Sequence, residues 1–252
     1  MSDAVLLHVE DGLARLTLNR PERLNAFSAD AAHAWAELTR EAVSRDDVGA
    51  IVVDAAGRAF CAGGDVREMA ENMDAGADLT ALAEVINSGI RALTESAIPV
   101  VAAAQGTTAG GGLGILMASD YAIIGTDSKI GSLYANIGLT PDLSVSAQLA
   151  RAVGERRALQ LVLQDRMLSA DEALAWGLVA EVVSPEAVGE RADEVARFWL
   201  SGAYRAYGHA KRLVRSQPGR TFAEQLSEEA RSIGASFDTP EAQARIRAFA
   251  KR

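Results

Sequence analysis

Residues 4–10 and 13–19 alternate apolar and polar side chains on either side of Asp11-Gly12. A period of two interrupted by an Asp-Gly pair predicts a β-hairpin at the start of the chain. Ser28 then precedes a run with helical period, so a capped helix is predicted over residues 29–44. Two largely apolar runs, residues 50–54 and 99–104, predict buried strands. Between them the pattern predicts a short helix from Val66, a polar and mobile stretch over 72–78, and a helix over about 79–94. A helix over 112–118 and strands over 121–125 and 129–132 follow. Residues 137–142 then turn the chain into helices around 146–153 and 155–164. Strands and helices alternate throughout, which makes the class α/β.

From Ser184-Pro185 onward the period is helical alone, over about 186–201, 203–216, 221–237 and 240–251, with Pro218-Gly219 and Pro240 as breaks. Apolar positions in this part, including Leu213, Leu226, Ile233, Phe237, Ile246 and Phe249, exceed what a small helical appendage buries by itself. They are expected to pack against the core and against other subunits.

Composition narrows the function classes. With 49% hydrophobic and 23% charged residues in 252 positions, the chain can build one substantial core. No apolar run reaches the roughly 18 residues of a membrane span, and the first residues lack the basic and apolar regions of a signal peptide. One cysteine, Cys61, excludes an intrachain disulfide framework. A cytoplasmic location and no membrane partner are therefore expected. A net charge of −9 argues against nucleic acid as a partner, so any anionic ligand must be held by local donors.

Two glycine-rich turns carry the candidate chemistry. Gly57-Arg58-Ala59-Phe60-Cys61-Ala62-Gly63-Gly64-Asp65-Val66 and Gln105-Gly106-Thr107-Thr108-Ala109-Gly110-Gly111-Gly112-Leu113-Gly114 each follow an apolar strand and each open a helix. Free backbone N–H groups in such turns, converging on one point, suit an oxyanion on an activated carbonyl. The same glycines also serve tight turns or close helix packing. The spacing of residues 110–114 does not meet the dinucleotide pattern G-x-G-x-x-G, and no P-loop lysine follows. Cys61 has no histidine near it in sequence, and His8, His33 and His209 fall in unrelated segments. A nucleophilic cysteine, a Ser-His-Asp site and a zinc site are therefore unsupported, no metal is expected, and Cys61 is taken as packing. Trp35, Trp176 and Trp199 lie on helical faces suited to core or subunit contacts.

Asn19-Arg20-Pro21-Glu22-Arg23-Leu24-Asn25-Ala26-Phe27, the segment from Ala59 to Val66, and Gly106 to Gly112 followed by Ser119-Asp120 resemble the three signature regions of the crotonase superfamily, also called the enoyl-CoA hydratase/isomerase family. The resemblance runs over nearly the whole chain in order. It implies a spiral of ββα turns with a C-terminal helical trimerisation region, a homotrimer or dimer of trimers, and an acyl-CoA substrate. Coenzyme A then enters as part of that substrate, with no separate cofactor. The implied division is a spiral core with the acyl-CoA site over 1–195 and a helical region over 196–252.

By the same resemblance the oxyanion donors are Gly64 and Gly111. Arg23, Leu24, Ala26, Ala62, Gly63, Asp65 and Val66 are placed at coenzyme A, largely through backbone atoms. Arg23 suits either a phosphate or a solvated surface, and the side chains of Asp65 and Asp120 suit capping or anchoring a turn. Hydratases of this family carry two glutamates, and the matching positions here are Gly114 and Tyr134. Neither supplies a carboxylate to activate water. Asp142, after Gly138-Leu139-Thr140-Pro141, matches the aspartate of the dienoyl-CoA isomerases and of the 1,2-epoxyphenylacetyl-CoA isomerase branch, and the segment 134–142 is most similar to the latter. The resemblance thus implies an isomerase with Asp142 as proton shuttle and Leu133 and Tyr134 lining the acyl pocket. A turn or helix-cap role for Asp142, simple packing for Tyr134, a catalytically reduced acyl-CoA binder, and a lyase or hydrolase on the same scaffold are the alternatives.

Overall fold

The computed structural model describes residues 2–164 and 166–251. The predicted hairpin forms: β1 (Val5–Glu10) and β2 (Leu13–Leu18) pair antiparallel, with Val5 opposite Leu18 and Glu10 opposite Leu13. The turn residues Asp11 and Gly12 take left-handed φ values of 50° and 81°, as such a turn requires. Helix α1 (Ala29–Ser44) is capped by Ser28, whose hydroxyl accepts from the Ala31 amide. Next come β3 (Ala50–Ala55), α2 (Val66–Asn72), α3 (Gly76–Glu95), β4 (Val100–Ala104), β5 (Thr107–Ala109), α4 (Gly111–Met117), β6 (Tyr121–Gly125) and β7 (Lys129–Gly131). The order continues with a 3-10 turn (Tyr134–Ile137), α5 (Val145–Val153), α6 (Glu155–Val162), β8 (Met167–Ser169), α7 (Ala170–Trp176) and β9 (Glu181–Val183). It closes with α8 (Val188–Ser201), α9 (Tyr204–Ser216), α10 (Phe222–Phe237) and α11 (Pro240–Phe249).

Six strands form one sheet in the order β1-β2-β3-β4-β6-β9, parallel beyond the hairpin, and β5-β7-β8 form a second. The largely apolar strands divide by alternate residues between two cores. Ile51, Val53, Val100, Ala102 and Ala104 join the large core with α1 and α3, while Ala50, Val52, Val101, Ala103 and Ile123 face α8 through Val188, Ala192, Val195 and Ala196. Both faces being covered, these strands carry no polar alternation.

Four short elements have no counterpart in the sequence expectations. Strands of three residues, β5, β8 and β9, are too brief to show a period. Helix α7 does carry a signal, the reciprocal cap Ser169 to Glu172. The stretch expected to be polar and mobile over 72–78 is in part helix, because α3 starts at Gly76, with Asp78 accepting from the amides of Asp74 and Ala75.

The division expected after residue 195 falls inside α8, whose buried face packs on the sheet. That helix ends at Ser201; the outer bounds of the expected division, 1 and 252, lie outside the described residues. Beyond it, α9 is pinned to the core by Lys211, which donates to the carbonyls of Leu93 (2.6 Å) and Ile98 (2.7 Å) and pairs with Asp120 at 3.0 Å. Arg215 pairs with the same aspartate. Leu213 is half-buried, but Leu226, Ile233, Phe237, Ile246 and Phe249 are exposed. The expectation that these five pack against their own core is not met, since α10 and α11 extend past it.

Candidate active site

The first glycine turn is built on a loop held in an unusual backbone shape. Leu24 and Asn25 take φ values of 51° and 55°, a conformation that disfavours most side chains and that Asn tolerates best. Buried Asn25 stabilises it: its side-chain amide donates to the carbonyls of Ala56 and Ala59, and its oxygen accepts from the Arg20 amide. Phe27 N–H then donates to Gly63 O at 2.8 Å, Asp65 N–H to Phe27 O at 2.9 Å, and Ala62 N–H to Leu24 O at 3.0 Å. Asp65 caps α2 and receives Arg20 and Arg23 at 3.1 and 3.2 Å. Burial opposes its ionisation, but the Glu68 amide and the two guanidiniums outweigh that and hold its carboxyl below the usual range. Arg23 is thus engaged with Asp65 and builds the turn.

The second turn abuts the first, backbone to backbone. Cys61 N–H donates to Thr107 O and Ala109 N–H to Cys61 O. Gly63 and Gly110 have φ values of 106° and 52°. A Cβ on Gly63 would stand 3.1 Å from Ala109 O and 3.4 Å from Gly111 N, and one on Gly112 only 2.2 Å from Cys61 O. Gly63 is required by both its φ and a close approach, Gly110 by its φ, and Gly112 by the close approach alone. Among the described residues, neither the Gly64 nor the Gly111 amide donates a hydrogen bond to another backbone or side-chain group.

Gly64 and Gly111 both line one cavity of about 450 Å3. Of the sequence-identified positions, Gly64, Gly111, Ala62, Gly63, Val66, Leu133, Tyr134 and Asp142 line it. Arg23, Leu24, Ala26 and Asp65 do not; they hold the first turn from behind. The cavity also takes Phe27, Met69, Ile137, Leu139 and Leu143, and from α3 Leu79, Leu82, Ala83 and Ile86. The α3 set recurs at helical spacing, a signal present in the sequence but attributable there only to the core. A second cleft of about 540 Å3, with Arg91, Arg151, Arg212 and Arg215 among its lining, shares no residue with this cavity.

Asp142 is the one carboxylate among the described residues lining the cavity. It does not cap α5, which begins after Ser144 without a side-chain cap. Its Oδ1 instead accepts from the Tyr134 hydroxyl at 2.6 Å. Burial raises the Asp142 pKa above the ordinary carboxylate value, and the Tyr134 hydrogen bond only partly offsets this. Burial, then the neighbouring Asp142 charge, raises Tyr134 strongly, so the phenol keeps its proton. Gly114 admits no side chain, because a Cβ there would lie 2.2 Å from Leu143 O. Leu143 and Ser144, at φ 47° and 68°, bring that backbone across the space.

Cys61 is fully buried, its thiol pushed up to about 12 by burial, and it faces the Asn25 carbonyl at 3.2 Å. It is a neutral packing group. Among the described residues no group of three His, Cys, Asp or Glu side chains is arranged to hold a metal ion, and no helix is long and apolar enough to cross a membrane. Trp35 is buried in the core, Trp199 stands edge-on to Tyr121, and Trp176 lies against Arg157 and Arg166.

Comparison with known proteins gives one family. Residues 8–252 match the model of the enoyl-CoA hydratase/isomerase family. The 1,2-epoxyphenylacetyl-CoA isomerase of Escherichia coli strain K12 is 33% identical over 91% of this chain and 88% of its own length. The short-chain-enoyl-CoA hydratase of Clostridium acetobutylicum is 31% identical over 98% and 95%. Among solved structures, an enoyl-CoA hydratase from Mycobacterium smegmatis superposes with a TM-score of 0.92 at 26% identity, covering 98% of this chain and 96% of its own.

Proposed function

The chain belongs to the enoyl-CoA hydratase/isomerase family, and from that premise we propose that it is an acyl-CoA isomerase in which Asp142 carries a proton between two carbons of the acyl group. The observation that supports this most is the position of Asp142: it is the only carboxylate lining the cavity among the described residues, on the cavity that Gly64 and Gly111 border.

The chemistry follows from the groups present. The thioester carbonyl sits between the Gly64 and Gly111 amides, and abstraction of a proton by Asp142 moves the electron pair onto that oxygen as an enolate. Two preorganised donors aimed at that charge supply several kcal/mol, since loss of one such donor commonly costs about 2.7–4 kcal/mol. The enolate then takes the proton back at another carbon, and the double bond has moved. Water addition needs a carboxylate to hold and activate the water. The two positions that supply it in hydratases are Gly114, where Leu143 fills the space, and Tyr134, a phenol that keeps its proton.

A panel of 3-enoyl-, 2-enoyl- and ring-epoxide acyl-CoA substrates, followed by absorbance and mass spectrometry, tests the assignment. Isomerised product with slow or no hydration of crotonyl-CoA is expected. Rapid crotonyl-CoA hydration would overturn it, and tight binding without turnover of any substrate would favour a catalytically reduced binder.

A further inference from the structure

We propose that Tyr134 is a positioning residue for this reaction, holding Asp142 by its Oδ1 so that the other carboxylate oxygen, Oδ2, meets the substrate. The inference rests on the assignment of Asp142 as the proton carrier and adds a second residue to it. Tyr134 opens the 3-10 turn directly after Leu133, which has a left-handed φ of 53°. The turn is closed by Leu139 N–H donating to Tyr134 O at 3.1 Å and Gly138 N–H to Ala135 O at 3.0 Å. The ring is therefore fixed at its backbone, buried along its sides, and tied at its tip to Asp142 at 2.6 Å.

This phenol donates to the carboxylate alongside the backbone amide of Asp142 itself. The first glycine turn brings the buried Cys61 thiol near Tyr134, α3 brings Leu82 and Ile86, α4 brings Gly111, and the loop before α5 brings Leu139, Thr140 and Leu143. Among the described residues, no lysine, arginine or histidine lines the cavity. Tyr134 is thus the one titratable donor facing Asp142. In the reaction it keeps its own proton. Oδ2 takes the proton from the acyl carbon as the electron pair passes to the thioester oxygen, and gives it back to the second carbon, while Oδ1 stays hydrogen-bonded throughout.

A hydrogen bond donated to a carboxylate favours its charged form, so its removal raises the carboxyl pKa. The test is a titration of the Asp142 carboxyl by carbon-13 NMR, with pH profiles of kcat/KM, in the wild type, Tyr134→Phe and Asp142→Asn. In Tyr134→Phe the Asp142 pKa and the acidic limb of the profile are expected to rise together by about one unit. The plateau kcat should fall about tenfold, with acyl-CoA affinity unchanged. Incorporation of 3-fluorotyrosine at Tyr134, a stronger donor of nearly the same shape, is expected to move the Asp142 pKa the opposite way. That arm decides the matter even if the Phe variant does not fold. An unmoved Asp142 pKa in a folded Tyr134→Phe, with Asp142→Asn inactive, would overturn the positioning role and leave the function standing. Full activity in Asp142→Asn would overturn both.

Discussion

At position 142 a carboxylate is kept where its charge is disfavoured by burial, and function and stability pull apart there. Because the folded-state pKa is raised above the ordinary value, the folded protein binds the Asp142 proton more tightly than the unfolded chain does. Stability from this group is therefore greatest at low pH and falls as pH rises through the folded pKa. Wherever Asp142 is ionised, its burial weakens the fold. Asp142→Asn removes that charge, so the variant is expected to melt at a slightly higher temperature than the wild type at pH 7.5. Its kcat should be lower by at least about 100-fold, the scale of general acid–base loss, with acyl-CoA affinity little changed. Calorimetry and steady-state kinetics on one preparation check both halves. A lower melting temperature with full activity would mean a structural role for the residue.

At the scale of elements, the cavity depends on how closely α3 approaches α1. The contact is made at Gly89, where a Cβ would stand 2.2 Å from Trp35 Nε1 and 2.7 Å from Thr39 Oγ1. Neither group is free to move away: Trp35 donates to Ile86 O and stands edge-on to Phe27, and Thr39 donates to Trp35 O. Alanine raises helix propensity by roughly 1 kcal/mol over glycine, whereas overpacking a core costs about 1–3 kcal/mol. The clash wins, so Gly89→Ala is expected to destabilise the protein in urea unfolding and to weaken acyl-CoA binding, since Ile86 and Phe27 line the cavity.

A second link between elements joins β6, β9 and α8. Hydrogen bonds from Arg191, then from Tyr121, hold the Glu181 carboxyl down at about 2 against an ordinary 4.5. A depressed carboxylate contributes stability that is complete above the ordinary pKa and is lost as pH falls through the folded value. The difference in melting temperature between the wild type and Glu181→Gln should therefore be present at pH 6 and shrink steadily between about pH 4.5 and 2. A difference that persists unchanged at pH 2 would exclude this origin.

For the whole molecule, an exposed apolar surface lies on the C-terminal helices. Leu226, Ile233, Phe237, Ile246 and Phe249 are exposed on α10 and α11, more apolar surface in sequence proximity than scattered single residues supply. We infer that a second and third copy of the chain cover it, in a trimer or dimer of trimers. Light scattering at micromolar concentration is expected to give at least three times the 26.5 kDa chain mass, and Ile233→Glu to lower it. A wild-type monomer would refute the assembly.

The sequence by itself determined the elements whose causes are local: the Asp-Gly hairpin, the Ser28 cap, the buried strands and the two glycine turns. Each is specified by neighbours along the chain, through period, φ preference or capping. The resemblance identified Gly64, Gly111 and Asp142 as site positions, and the tertiary structure places all three on one cavity. What the sequence left open was anything settled by residues distant in the chain. Arg23 pairs with Asp65 because the loop at 20–27 folds onto the first turn. Asp142 turns toward the cavity instead of capping α5 because Tyr134 reaches it from the preceding turn. Gly114 is bare because the Leu143 backbone passes over it. Local patterning sets secondary structure, but the partner of a polar side chain and the space left for a Cβ depend on which segments come to lie side by side, and only packing decides that.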